Sequence, residues 1–254
     1  MHTQQGAVVG HLRGRCDNCP SQAHCLSHGM NEEELTFFSR MIKHRRPLQR
    51  GEQVFMMGDT FNGVVMVHSG SVKSYVTTID GEQQIIGFHM PGDMLGIDGF
   101  GTAEHRYSAE ALETTSVCEL SFRSYEYLAG RIPMLQRQLL NIISRQMVAE
   151  QQMLLMLGKM SAEQRVAKFL LDMSTRMMAR GMSGRVVNLT MSRNDMANYL
   201  GLALETVSRL LTRLQSMGVL AVHGREIQIL DAAWLHAIVD NTADSYSPAV
   251  ADIA

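Results

Sequence analysis

From Pro47 to Phe122 the chain cannot run as a long helix. Glycines at 51, 58, 63, 70, 81, 87, 92 and 101 interrupt it, and the stretches between them are short, apolar and often β-branched. Val64-Val65-Met66-Val67, Val72 to Val76 and Ile85-Ile86-Gly87-Phe88 read as strands separated by tight turns. This succession predicts a compact antiparallel barrel or jelly roll. The chain is 45% hydrophobic, enough to fill real cores, and its 254 residues favour more than one domain. No apolar run approaches the roughly 18 residues that span a membrane. The first fourteen residues are polar and lack the apolar stretch of a secretory signal. A cytoplasmic protein without membrane contact is expected.

The chain is helical on either side of this region. Asn31, with Glu34 three residues on, marks the start of a short helix with an apolar face of Leu35, Phe38 and Ile42. Pro133 opens a long helical stretch. In it Leu139, Ile143, Gln146, Glu150, Met153, Leu157 and Met160 recur at heptad spacing, which predicts a two-helix dimer seam. The competing reading is a helix packed on its own barrel. The candidate dimer interface is Leu139, Ile143, Met147, Glu150, Met153, Leu154 and Leu157. Two Glu150 side chains facing each other across such a seam would repel, so pairing is expected to be barely stable and switchable. A second helix, Glu163 to Ala179, ends at Gly181.

Ser192 to Met217 has the form of a helix-turn-helix. Ser192 and Asp195 make a capping box, Ala197 is small where two helices must approach, Gly201 sits at the turn, and Val207 packs the second helix on the first. The second helix, from about Ala203, buries Val207, Leu210, Leu211 and Leu214. It exposes Glu205, Thr206, Ser208, Arg209, Thr212 and Arg213, the face that would read base edges in a major groove. A hairpin turning at His223-Gly224-Arg225 would be the wing, with Arg225 on a phosphate. Residues 161–240 carry nine Lys+Arg against seven Asp+Glu, a net +2 in a chain of net −2. Such a balance permits phosphate binding without proving it.

Of four cysteines, three fall in Cys16-x2-Cys19-x5-Cys25 and the fourth is Cys118. A cysteine cluster in a cytosolic chain reads as metal or redox chemistry. An iron–sulfur cluster on the four thiolates and a structural zinc on Cys16, Cys19, Cys25 and His28 both fit the spacing. Cys118 could also be a small core residue, sharing a strand face with Leu120 and Phe122.

Cysteine loop, glycine-punctuated barrel, seam helix and winged helix-turn-helix, in this order, resemble the Crp/Fnr superfamily, and most closely its oxygen-sensing FNR branch. The resemblance covers nearly all of residues 16 to 240. It rests on the cysteine pattern, on Asn198-Tyr199-Leu200-Gly201-Leu202 and on Glu205-x2-Ser208-Arg209. It implies an α+β chain: a cysteine-rich loop (1–29), a β-roll like that of cyclic-nucleotide-binding domains (30–130), a dimerisation helix (131–160) and a winged helix-turn-helix (161–240); the Ser-, Asp- and Ala-rich tail (241–254) is expected to be disordered on its composition. It implies one [4Fe-4S] cluster per subunit on Cys16, Cys19, Cys25 and Cys118, with no enzymatic role. It further implies a homodimer that binds a palindromic TTGAT-type site in double-stranded DNA without oxygen. As activator or repressor, that dimer would act through RNA polymerase. Oxygen would convert the cluster to [2Fe-2S] and separate the subunits. The turn near Thr78 to Gly81 is the candidate polymerase contact. Where the best-known member has an aspartate in the seam, this chain has Glu150. Cyclic nucleotide is not an expected ligand, because Tyr107 stands where the cyclic-AMP branch has its phosphate-binding arginine, and Arg106 is one residue off.

Two rival readings separate from this one. A Crp-like regulator of another small ligand, with a zinc or thiol-redox loop, would be colourless when purified without air. A cupin-like metal enzyme would need a His-x-His or a clustered Glu/His ligand set, which the barrel lacks. His68 and His89 stand alone and read as satisfied strand histidines.

Overall fold

The computed structural model describes residues 16–241. The polar stretch before Cys16 and the tail expected to be disordered, beyond Asn241, lie outside the described residues. Two 3-10 turns, Cys16–Asn18 and Gln22–His24, precede α1 (Glu32–Met41). The strands β1 (Lys43–His44), β2 (Gln53–Phe55), β3 (Gly63–Ser69), β4 (Val72–Thr77), β5 (Gln83–His89) and β6 (Met94–Leu95) follow, then α2 (Gly99–Thr102), β7 (Ser108–Ala111) and β8 (Ser116–Ser121). Next come α3 (Phe122–Ala129), the long α4 (Pro133–Lys159) and α5 (Ala162–Ala179). The chain continues through β9 (Val186–Asn188), α6 (Arg193–Leu200), α7 (Leu204–Ser216), β10 (Leu220–His223), β11 (Glu226–Ile229) and α8 (Ala232–Val239).

The glycine-punctuated region closes into two four-stranded antiparallel sheets, in the orders β1-β8-β3-β6 and β2-β7-β4-β5. Between them Val54, Phe55, Val65, Val67, Val72, Leu95, Ala109, Ala111 and Val117 fill the roll. A second core, with Leu26, Leu35, Phe38, Val64, Met66, Leu120, Leu128 and Leu135, packs the cysteine loop, α1, α3 and the start of α4 against the first sheet. A third covers the other sheet: Tyr75, Ile85, Phe88, Met90 and Leu112 join the core of α5 to α8.

The capping boxes at Asn31–Glu34 and Ser192–Asp195 are both formed, and a third, Ser161–Gln164, starts α5. Three helices had no counterpart in the sequence reading: the four-residue α2 and two longer ones. The strand expected to reach Phe122 stops at Ser121, whose hydroxyl accepts from the Ser124 N–H and starts α3. Asp231 likewise caps α8 through the Trp234 N–H.

The C-terminal module is docked on the roll. Asn198 pairs with the edge strand β5: its side-chain N–H donates to Gln83 O (2.7 Å) and its Oδ1 accepts from the Ile85 N–H (2.6 Å). Lys73 bridges Asp195 and Glu110 at 3.2 and 3.4 Å. The rings of Phe88, Phe169 and Tyr199 meet at centroid distances of 5.1 to 6.1 Å. At the other end of α5, the Arg165 guanidinium donates to Leu157 O and Met160 O of the α4 terminus and to Leu200 O at the helix-turn-helix bend (2.7, 3.1 and 3.0 Å).

His89, at the end of β5, lies 2.8 Å from Ser74 Oγ through Nε2. Burial pushes its pKa down to about 4; Asp93 opposes the shift and Arg176 adds to it. An unfolded chain takes up this proton near pH 6.5, whereas the folded chain does not. Stability therefore falls as pH drops from about 6.5 to about 4, by roughly 3 kcal/mol in full. His89→Gln is expected to flatten that part of the curve, read as urea midpoints at pH 7 and pH 5. An unchanged pH slope rules His89 out as its source.

Candidate sensing site and nucleic-acid interface

The cysteine loop lies on the outer face of the β1-β8-β3-β6 sheet. Its backbone is locked by turns, with the Cys25 N–H donating to Gln22 O (3.1 Å) and the His28 N–H to Cys25 O (3.0 Å). Leu26 and Ser27 are buried beneath it. The Cys16 N–H donates to Ser39 Oγ of α1 at 3.1 Å. Cys118 sits on β8 opposite His44 of β1, and its Sγ is 3.5 Å from His44 Nδ1. The Cys19 Sγ is 3.5 Å from Nδ1 of His68 on β3. His68 is thus not the isolated strand histidine that the sequence suggested. Strand pairing, which no spacing reveals, brings it to the thiols. His89, by contrast, is satisfied within the roll by Ser74.

The four cysteines are free thiols, each half-buried and within electrostatic reach of the others. Burial, reinforced by Cys25, Cys16 and Cys19, pushes the Cys118 thiol up to about 12. Burial raises Cys25 and Cys16 in the same way. Four thiolates cannot share this space unless a cationic centre stands among them. Among the described residues no three His, Cys, Asp or Glu side chains converge on a point suited to a single ion. A tetrahedral zinc draws its ligands to about 2.3 Å of one point, whereas in a four-iron cluster each thiolate takes its own iron. His28, the other zinc candidate, points to solvent. Four thiols within reach of one another are the donor set that a [4Fe-4S] cluster would use.

At the opposite end, α6 and α7 form the helix-turn-helix. Gly201 adopts the left-handed conformation (φ 61°) that the turn requires. Ala197, Val207, Leu211 and Leu214 are buried between the helices, and Leu210 is half-buried. Glu205, Ser208, Arg209, Thr212 and Arg213 are exposed along one face of α7, and Thr206 is half-buried beside them. Arg213 reaches Glu163 of α5 at 3.4 Å. The wing is the β10–β11 hairpin, extended by β9. Arg225 at its tip is exposed and donates to Thr190 O (3.2 Å). Arg193 was not singled out from the sequence; it donates to Gly224 O (2.8 Å) and so fixes the wing against α6.

The stripe read as a single seam on α4 divides between two faces. Leu139 packs on the core beside the first sheet, and the Gln146 amide donates to Met94 O. Met153 and Met160 pack against the core of the C-terminal module. Leu139 and Met153 thus each pack partly against the chain's own cores. Leu140, Met147 and Leu154, one position further on, are 67%, 55% and 72% exposed. A shift of one residue turns a helix by about 100°, enough to exchange a core-facing stripe for an outward one.

Arg106 and Tyr107 lie in the bend before β7 rather than in the strand. Arg106 is exposed, while the Tyr107 hydroxyl accepts from the Gly96 N–H (2.8 Å) and its ring tilts against Phe55.

A family model described as a cyclic nucleotide-binding domain matches residues 45–130, and one described as a Crp-like helix-turn-helix domain matches residues 164–238. The chain is 42% identical over 234 residues to the transcriptional activator protein Anr of Pseudomonas protegens, covering 92% of this chain and 96% of that one. It is 40% identical over 227 residues to the fumarate and nitrate reduction regulatory protein of Salmonella typhimurium, covering 89% and 91%. The structure of FixK2 from Bradyrhizobium japonicum superposes with a TM-score of 0.71 at 34% identity, over 78% of this chain and 96% of that one. Fold and recognition face together define a DNA-binding transcription regulator, not an enzyme. Within that class the chain belongs to the Fnr/Anr branch of the Crp/Fnr family.

Proposed function

We propose that this regulator senses oxygen through a [4Fe-4S] cluster on Cys16, Cys19, Cys25 and Cys118 and that it binds a palindromic TTGAT-type site as a dimer when oxygen is absent. The observation that carries this reading is the gathering of four thiols, three from a loop and one from β8, over the core on which α4 also packs. When bound, the cluster supplies an oxygen-labile centre that ties the loop to the sheet. The residues do the rest. Cys118 joins the loop to β8, Leu26 and Leu35 join it to the core under α4, and α4 carries the pairing face. The deciding experiment is anaerobic purification followed by absorbance, iron and sulfide assay, then controlled exposure to air. A colourless, iron-free protein that still binds its operator tightly would refute the reading and favour a regulator of some other ligand.

Pairing is assigned to the outward face of α4. Leu140, Ile143, Met147, Glu150, Leu154 and Leu157 follow at alternating three- and four-residue steps, the spacing of a two-helix seam. From the original interface this keeps Ile143, Met147, Glu150, Leu154 and Leu157. Glu150 places like charges near the two-fold axis and keeps association weak enough to be switched.

DNA reading is assigned to Glu205, Ser208 and Arg209, with Thr206, Thr212, Arg213 and Arg225 beside them on bases or phosphates. Arg209→Ala is expected to cost about 1–3 kcal/mol of operator binding and to relax base preference. The same loss on every DNA sequence would show that Arg209 contacts phosphate only. Polymerase contact is assigned to the Thr78–Gly81 turn between β4 and β5, where Ile79 is fully exposed. The filled roll, half-buried Tyr107 and outward Arg106 argue against a cyclic-nucleotide ligand. A cytoplasmic location follows from the proposed role on DNA. Among the described residues no helix is long and apolar enough to cross a membrane.

A further inference from the structure

We infer that the cysteine loop also fastens the DNA-binding module directly, within one subunit, through a clasp built on the Pro91-Gly92-Asp93 turn. This inference rests on the loop being the sensing element, but it is separate from pairing along α4.

The turn links β5 to β6 and has a different neighbour on each side. On one side lies the loop. A Cβ on Gly92 would meet the His24 Cβ at 2.6 Å and Ser21 O at 3.1 Å, and its φ is +94°. Only glycine lets the loop seat this closely. Ser21 Oγ also donates to His68 O, holding the loop over β3. On the other side lies the last turn of α5. Asp93 accepts from Arg180 at 2.6 Å and from Arg176 at 2.7 Å. Arg176 donates also to Phe88 O (2.7 Å), and Arg180 to Pro91 O (2.9 Å).

One contact omits the turn altogether. His24 lies between Cys19 and Cys25, and its Nε2 is 2.7 Å from the carbonyl oxygen of Ala179, the last residue of α5. The carbonyl can only accept, so the imidazole N–H donates. The loop that presents three thiols therefore touches the roll turn and the C-terminal end of α5 at once. When the loop loses its fold, the His24 bond and the seating on Gly92 go with it. The far end of α5 is then held only by Arg176 and Arg180, on Asp93 and on the Phe88 and Pro91 carbonyls. The DNA-binding module loosens in each subunit whether or not that subunit is paired.

The test is amide hydrogen exchange on the full chain carrying Leu154→Glu, so that pairing does not contribute, prepared without air. His24→Ala removes one contact and leaves the thiols intact. Cys25→Ser disrupts the loop. Both are expected to speed exchange at least tenfold at the α5 terminus, Met177 to Gly184, with the amides of β7, which the loop does not touch, unchanged. Unaltered rates at that terminus in both variants, or a uniform rise that includes β7, would overturn the clasp. Iron content of the same samples decides the sensing reading separately. An iron-free parent whose α5 terminus still responds to His24→Ala keeps the clasp and removes the sensor.

Discussion

A glutamate in place of Leu154 is expected to leave the protein monomeric at micromolar concentration with or without oxygen and to weaken anaerobic operator binding at least a hundredfold. Leu154 is 72% exposed in the single chain and shares a stripe with Leu140 and Met147 at seven-residue intervals. Burying one leucine contributes roughly 1.5–3 kcal/mol. A two-fold interface counts each position twice, so about 3–6 kcal/mol is lost. At 1.4 kcal/mol per factor of ten, that is roughly 10²–10⁴ in the dimer constant. The new charge also lies one helical turn from Glu150, which adds repulsion. Because Leu154 makes no core of its own chain, circular dichroism should match the parent, and so should the thermal midpoint in air, where the parent too is unpaired. Sedimentation velocity reads the outcome, and a stable dimer of the variant would mean that α4 is not the pairing element.

Serine at position 118 is expected to strip the protein of iron and to reduce anaerobic operator binding to its level in air, a loss of tenfold or more. Cys118 is the one cysteine outside the loop, placed on β8 in register with His44. Serine matches its size, and the site is half-buried rather than sealed, so the roll should survive. What disappears is the thiolate that joins the loop to the sheet. Iron per chain after anaerobic purification, alongside urea stability, separates the two explanations of this residue. Full iron retention with lowered stability would make Cys118 a small core side chain.

The helix-turn-helix was legible because its determinants are local. Ser192, Asp195, Ala197, Gly201 and Val207 each act on neighbours within a turn or two, and the structure places all five as their chemistry requires. The roll was legible in kind but not in register, since glycine marks where strands end and not which strands pair. That gap hid His68 and His44, which reach the thiols only through the pairing of β1, β8 and β3. The α4 seam was legible except at Leu139 and Met153, because both faces of the helix are apolar, one toward the chain's own cores and one outward. α3 and α8 were missed because each is eight residues long and started by a single cap. Nothing local predicts the docking of Asn198 on β5 or of Arg176 and Arg180 on Asp93, which join residues more than eighty positions apart.

Arg165 has a geometric consequence. Its guanidinium binds the end of the long helix and the bend before α7 together, so each reading head turns with the helix that carries it. Two such helices joined side by side act as a rigid caliper whose jaws have one opening. Adding a base pair between the half-sites would rotate one of them by about 36° out of reach of its jaw, at roughly 10 base pairs per turn of duplex. Operators for this protein should therefore tolerate changes in central sequence far better than changes in central length.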